Sequence, residues 1–526
     1  FCYLLAASKG RGSAPCGMSE SDMSDISEGA LLGSEMSLER RLPYLKWVLL
    51  ALLGLGGVLG HQSRRLRIDT QQVVQEYAIP PGAGVNLGGW LVLEDWFFSG
   101  SSGSLVTSSG VGQGRCLPPL VHDLEEPWPS EGVLAFRLNA SKGQAETVRV
   151  FEAHRSHFLA EDDLRKIAES GITTVRLPLT WAAFADALAP LSPIYSSYDP
   201  EHESALVPDP FYLDKAALVT IRRDLVADFL RQAAEMGLQV VLDLHALPGG
   251  SQDGTYNGVW PNRPVFWSEQ TQLGERTALS LVGRWVAQKM IAWVEGLDPL
   301  AKQGVAGLTL MNEPAHMNAW KDFAKEQDVL SWLADTADDF RRSSLPGQVK
   351  LYVNLIETAF SQFEHSAVPW FLTTFTHEER LTWAVADVHW YVAWSNGDCD
   401  GRTVQGGGFS CSAPLPEVQA KLHDCASSAA SRLRKLFEDA QVAVTEFSAG
   451  TFHEARYACH DTQLLRAFLE EELKAFQSDQ IQPFFWTWKM PFGPNFEAGW
   501  SLKYLLGLED AELRKECDLK DLKVQF

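Results

Sequence analysis

The chain reads as an α/β protein, a (β/α)8 TIM barrel, and two observations say so. From residue 80 onward eight short apolar runs recur at strand length, and longer segments with apolar residues at three- and four-residue spacing lie between them. The runs are GVNLGGW (84–90), TTVRLPL (173–179), QVVLDLH (239–245), GLTLMNE (307–313), VKLYVN (349–354), WAVADVHW (383–390), VAVTEF (442–447) and PFFWTWK (483–489). The helical patterns include DLRKIAESG, RRDLVADFLRQAAEMG, ERTALSLVGRWVAQKMIAWVEG, QDVLSWLADTADDFRR, EVQAKLHDCASSAASRLRKLFEDA and DTQLLRAFLEEELKAFQ. Parallel strands need crossovers of a dozen or more residues, and these amphipathic segments supply them. Eight such units suggest a closed barrel.

Two stretches break the alternation, and both follow the C-terminal end of a strand, the face where such barrels carry their sites. Residues 99–157 form a long insertion after the first strand, rich in Ser, Gly and Pro before EAHRSHFLAEDDL and expected as an exposed loop. Residues 395–414 are Gly-rich and bounded by Cys399 and Cys411, which a disulfide would close. The barrel domain is assigned to 80–526, preceded by an acidic, disordered tail (1–43), an apolar segment (44–60) and a linker (61–79). The apolar run Trp47 to Gly60 is flanked by Arg40, Arg41 and Lys46 on one side and by Arg64, Arg65 and Arg67 on the other. It is shorter than the roughly 20 residues of a full span, but Lys46 can snorkel and let Tyr44 and Leu45 extend it. We read it as a membrane anchor; the alternative is a signal-peptide core with Met36 as the start.

The 526 residues carry 67 Asp and Glu against 45 Lys and Arg, a net charge of -22, which argues against a partner recognised through its phosphate backbone. A neutral or cationic ligand fits better. The 18 Trp are compatible with a cleft that stacks sugar faces, although any given Trp is more often core filler. Asn139-Ala140-Ser141 is a glycosylation sequon, expected in an exposed loop.

Polar residues gather at the strand ends: Arg176, His245, Asn312 with Glu313, His389 with Tyr391, Glu446 and Trp486. Any one of them is more often a loop salt bridge or a satisfied core group than a catalyst. Six of eight strands ending this way is different, because in a barrel those ends converge on one pocket. Glu313 and Glu446 end strands four and seven and supply the two carboxyls of glycoside hydrolysis, one to protonate the leaving oxygen and one to attack or to activate water. There is no GxSxG elbow, no phosphate-cradling GxxxxGK[ST], no HExxH and no zinc-type CxxC. Asp243 and His245 share a strand face but have no obvious third ligand, so neither metal nor cofactor is expected.

GVNLGGWLVLEDW, RLPLTW, VVLDLHALPGGSQDG, LMNEP, HWY, VTEFS and FFWTWK, in this order and spacing over residues 80–510, resemble glycoside hydrolase family 5, in its exo-β-1,3-glucanase (glucan 1,3-β-glucosidase) branch. The resemblance implies a retaining double displacement with Glu313 as general acid/base and Glu446 as nucleophile. It makes Arg176 the arginine that orients the nucleophile, Asn312 the ligand of the sugar 2-hydroxyl, and His245 and His389 the site histidines. Tyr391 lies near the nucleophile, Trp486 forms the platform under the sugar, and Glu94 grips a terminal glucose. Tyr256 and Trp394 match two aromatic rings that clamp the next sugar at the pocket mouth, with a one-residue offset at Tyr256. The implied activity is release of glucose from β-1,3-glucan ends by a monomeric catalytic domain on the extracellular or lumenal side. Alternatives are another β-glycan or a glycolipid on the same machinery, transglycosylation in wall remodelling, or a non-catalytic carbohydrate-binding membrane protein.

Overall fold

The computed structural model describes residues 79–94, 97, 129–159, 162–314, 324–355, 363–393, 398–399, 402–403, 411–451, 459–490 and 499–508. All lie in one compact unit, Ile68–Phe526. The tail, the apolar run from Trp47 to Gly60 and Trp394 fall outside the described residues. Among the described residues no helix is long and apolar enough to cross a membrane.

Eight strands close a barrel: β1 (Gly84–Asn86), β2 (Thr174–Thr180), β3 (Gln239–Ala246), β4 (Val305–Thr309), β5 (Lys350–Asn354), β6 (Ala384–His389), β7 (Gln441–Phe447) and β8 (Ile481–Phe485). Neighbours around the barrel are neighbours in sequence, β8 pairs with β1, and every pairing is parallel. Each strand sits where an apolar run is expected, with shifted ends. β4 stops at Thr309, so the chain is already turning when it reaches Asn312 and Glu313. Short crossovers and right-handed helices between parallel strands leave little other choice of topology.

Side chains fill the barrel interior. Val241, Tyr352, Val385, Ala443 and Phe484 form a cluster of their own there, and Tyr352 meets Phe484 edge-on with centroids 6.1 Å apart. Two glycines make room for these rings: a Cβ on Gly84 would lie 2.2 Å from Phe484, and one on Gly307 would lie 2.4 Å from Tyr352. Small residues on β1 and β4 therefore let large rings from β8 and β5 close the floor. Outside, helices lay apolar stripes on the staves; Leu279–Gly296 buries Val282, Val286, Met290 and Val294, each contributing about 1.5–3 kcal/mol relative to exposure.

Two expectations are corrected. Residues 131–157 of the insertion are not loop but two helices, α1 (Glu131–Lys142) and α2 (Gln144–His157), joined at Gly143, whose φ of 85° lies in the left-handed region that glycine tolerates. Asn139 is therefore a half-buried residue in the last turn of α1, its carbonyl accepting from Gly143 N. The second correction concerns Cys411, which bonds to Cys459 with Cα atoms 5.3 Å apart, and not to Cys399. Cys411 precedes helix Leu415–Leu436 and Cys459 precedes helix Thr462–Ser478, so the bond ties the connections after β6 and β7, two adjacent staves. Spatial adjacency across 48 residues overrides adjacency in sequence. Cys425 is disulfide-bonded as well.

Candidate active site

The staves point alternate residues inward, so the positions above the floor cluster on the same face: Asp243 and His245 above Val241, Asn354 above Tyr352, Asp387 and His389 above Val385, Thr445 above Ala443. β7 departs from alternation at the top. Its register slips between Val444 and Glu446 against β6, and again by Phe447 against β8. This bulge turns the consecutive residues Thr445 and Glu446 both toward the pocket, a re-aiming that bulges beside sites commonly perform. Glu313 is aimed by a different device: its φ of 37° lies in the left-handed region, which costs a non-glycine residue about 1–3 kcal/mol.

Arg176, fully buried on β2, organises the pocket floor. Its Nη1 donates to Glu446 Oε1 at 2.6 Å and to Asn86 Oδ1 at 3.0 Å; its Nη2 donates to Asn312 Oδ1 at 2.6 Å and lies 3.1 Å from Asp243 Oδ2. Burial works against the guanidinium's charge, but Asp243, Glu446 and Asp387 outweigh it and hold the proton more firmly than usual. Because the Asn312 oxygen faces Arg176, its two amide hydrogens are turned elsewhere, as a ligand of a sugar hydroxyl requires.

Glu313 and Glu446 are 9% and 5% exposed. Glu446 Oε2 accepts from Tyr391 Oη at 2.7 Å and lies 3.4 Å from His389 Nδ1, while Glu313 Oε1 lies 2.7 Å from the same nitrogen. Glu313 Oε2 accepts from the Tyr256 hydroxyl. Burial lowers the affinity of His389 for its second proton, but Glu446 and Glu313 more than compensate and raise its pKa to about 9. Burial and the Glu446 charge push the Tyr391 phenol well above its usual value, so it remains a donor.

The periphery is tied to this centre. His245 gives its Nδ1 to Asp243 Oδ2 at 2.6 Å and stacks on Trp486, centroids 5.5 Å apart and planes 9° from parallel. Glu94, buried after β1, accepts from Thr255 Oγ1 at 3.2 Å and bridges to Ser130 at the start of α1. The adjacent Leu93 N donates to Glu131 Oε2 at 2.8 Å, so the inserted helix holds the turn that carries Glu94. Burial, opposed by Arg155 and Leu93 N, pushes the Glu131 carboxyl up to about 7.

The structure thus joins Arg176, Asn312, Glu313, His389, Tyr391, Glu446 and Tyr256 in one hydrogen-bonded network, with His245 and Trp486 stacked beside it and Glu94 reached through Thr255. Asn86, Asp387 and Thr445 belong to it too, and sequence reasoning passed over them. Asp387 and Asp243 carried a signal: each stands two residues before a site histidine, on the same face of its strand. Ligand atoms of Glu313, His389 and Glu446 lie within 4.8 Å of one another, a spacing that a cation would also suit. Here those atoms share hydrogen bonds, and the Arg176 guanidinium already supplies the positive charge at Glu446. The donor set fits a proton-transferring carboxyl pair better than a metal.

No protein-family model matches the chain. A probable glucan 1,3-beta-glucosidase A of Aspergillus fumigatus is 27% identical over 226 residues, 43% of this chain and 42% of that protein. The glucan 1,3-beta-glucosidase 1 of Schizosaccharomyces pombe is 25% identical over half of each chain. The chain thus spans half or less of the length of these relatives. A rutinosidase from Aspergillus niger shares the fold, with a TM-score of 0.51 at 17% identity over 81% of this chain and 96% of its own. In sequence, then, the chain is a homologue of curated glucan 1,3-beta-glucosidases, the relationship that its motifs imply.

Proposed function

We propose that the chain is a retaining glycoside hydrolase that releases glucose from the ends of β-1,3-glucans. The observation that carries this reading is the Glu313–Glu446 pair: both carboxylates reach His389 Nδ1, and one oxygen of each lies within 4.8 Å of the other, closer than a pair that must admit a water between them. Retaining enzymes place their carboxyls about 5–5.5 Å apart, whereas inverting enzymes leave about 6.5–9.5 Å for a water. Glu446, oriented by Arg176 and Tyr391, attacks the anomeric carbon while Glu313 protonates the departing oxygen. Asn312 donates to the 2-hydroxyl, where the bond strengthens as charge develops on the ring. Water then enters, Glu313 takes its proton, and the ester to Glu446 is cleaved. Glucan as substrate and the β-1,3 linkage are supported by the names of the homologues, and action at chain ends by Glu94 beside the inserted helices.

Placement outside the cytosol, with residues 44–60 as anchor, is part of the same proposal and is supported by the Cys411–Cys459 bond, since disulfides persist in oxidising compartments. The decisive experiment is Glu446→Ala on laminarin. Hydrolysis should fall on the order of ten-thousandfold, and azide should restore turnover to give a product of inverted configuration. A variant that keeps most of its activity removes Glu446 from the role. With the unaltered chain, free glucose as first product supports the terminal action; mixed oligosaccharides would replace it with internal cleavage.

A further inference from the structure

Tyr256 matches a ring at the pocket mouth, yet its hydroxyl lies on Glu313 Oε2. We propose that Tyr256 is a positioning residue for the second half of the turnover, holding Glu313 as the base that deprotonates the incoming water; this rests on the acid/base reading of Glu313 above.

The placement is built in, since the short turn Thr255–Asn257 is pinned on both sides of Tyr256. Thr255 Oγ1 donates to Glu94, Asn257 Nδ2 donates to Gln252 O at 2.7 Å, and Asn257 Oδ1 accepts from Val259 N and Trp260 N at 2.8 Å each. The ring lies edge-on to His245, centroids 5.4 Å apart. Gly254 supplies an independent sign that the ring belongs there. Its φ of 177° is extended backbone open to any residue, but a Cβ would come within 2.5 Å of the Tyr256 ring. Space for the ring, and not backbone conformation, is what excludes a side chain at 254.

The two halves of the reaction ask opposite things of Glu313. First it gives a proton to the leaving oxygen; afterwards it must be ionised. In the second half the oxygen of water bonds to the anomeric carbon, the bond from that carbon to the Glu446 oxygen breaks with its electron pair returning to Glu446, and a water proton passes to Glu313. A phenol O–H favours the ionised carboxylate, because the hydrogen bond to a charged acceptor is the stronger one. The phenol keeps its own proton throughout. A carboxylate offers about four lone-pair sites, so a hydrogen bond from Tyr256 to Oε2 does not by itself close Glu313 to the water.

Without the phenol the covalent intermediate should persist. The test uses the full chain and an aryl β-glucoside with a good leaving group, for which the first half is fast. Tyr256→Phe should lower kcat about tenfold, the loss expected for one hydrogen bond to a charged group, and KM should fall in the same proportion. Mass spectrometry of the working enzyme should show more protein carrying one glucosyl group. Gly254→Ala, which pushes the ring aside and keeps the hydroxyl, should shift all three readouts in the same direction. Unchanged kcat in both variants, or a fall in kcat with KM constant or raised, overturns the proposal, because a damaged pocket would weaken the first half too. Glu313→Gln is measured alongside on laminarin. If it turns over like the unaltered chain, the acid/base reading fails; if it is inactive while Tyr256→Phe leaves kcat and KM as they were, only the role of Tyr256 fails.

Discussion

The Thr445 hydroxyl has one proton to give, and it goes to Asp387 Oδ2 at 2.7 Å. Toward His389 Nε2, 3.2 Å away, the same oxygen must therefore accept. Nε2 carries a hydrogen, and Nδ1 faces two carboxylates, so His389 is held as an imidazolium at neutral pH. Its folded pKa of about 9 is raised above the unfolded value of about 6.5, which fixes the sign of the linkage. The stabilisation is complete below about pH 6.5 and is lost as pH rises through about 9. Urea unfolding across that window should show stability falling toward alkaline pH, and His389→Gln should flatten the fall; an equal slope in both proteins would mean that other groups carry it. Asp387→Asn should disturb the same charge, because an amide cannot accept at once from Thr445 N, Thr445 Oγ1 and Asn354 Nδ2. We expect a loss of about 1–3 kcal/mol, the cost of buried donors left unsatisfied, read by thermal unfolding. At this scale the carboxyls and histidines were legible in the sequence because they end strands. The contacts between them were not: Arg176 and Glu446 are 270 residues apart, and nothing local foretells the bulge that brings Thr445 and Glu446 to the same face.

At the scale of elements, the helix Asp163–Glu169 anchors the chain after β8. Asp163, wholly buried, accepts from Trp488 Nε1 at 2.9 Å, Lys489 Nζ at 3.1 Å and Lys503 Nζ at 2.7 Å. Burial raises its pKa, but the two lysines outweigh that and bring it down to about 2. A depressed carboxyl stabilises above its unfolded pKa of about 3.9, and the contribution is lost as pH falls toward about 2. Asp163→Ala should cost about 3–5 kcal/mol by stranding Lys503 in the interior, measured by denaturant titration. Since Trp486 lies just before this anchor, activity should fall at temperatures where the barrel is still folded. The strands were the legible elements, because each is a short apolar run between turn residues. The helices α1 and α2 were not: their buried faces include Glu131, Gly132, Thr147, His154 and Arg155 among the apolar residues, so no clean apolar stripe marks them. Arg155 donates to Val219 O and Thr220 O, and His154 Nε2 lies 2.8 Å from Gly89 O, so this face is held by polar contacts that hydrophobic periodicity does not register.

For the whole molecule, the proposed topology predicts that the barrel in sealed vesicles from a eukaryotic cell resists added protease and that reduction lowers its melting temperature. Digestion from the cytosolic side would place it in the wrong compartment for Cys411–Cys459. Asn139 is the weaker marker of that topology, because in the last turn of α1 it is less open to a glycosyltransferase than a loop asparagine would be. The closed eight-strand architecture was readable from alternation alone, whereas the disulfide partner depended on which connections the closed barrel brings side by side. The rings of Tyr352 and Phe484, seated over Gly307 and Gly84, have one more effect. They make the site a cul-de-sac. In the proposed reaction a sugar cut at Glu446 cannot drain through the barrel, so it would have to back out through the opening by which the next chain end arrives. On that proposal released glucose and incoming polymer would contend for one doorway, and glucose should inhibit competitively, raising KM for laminarin while kcat stays the same.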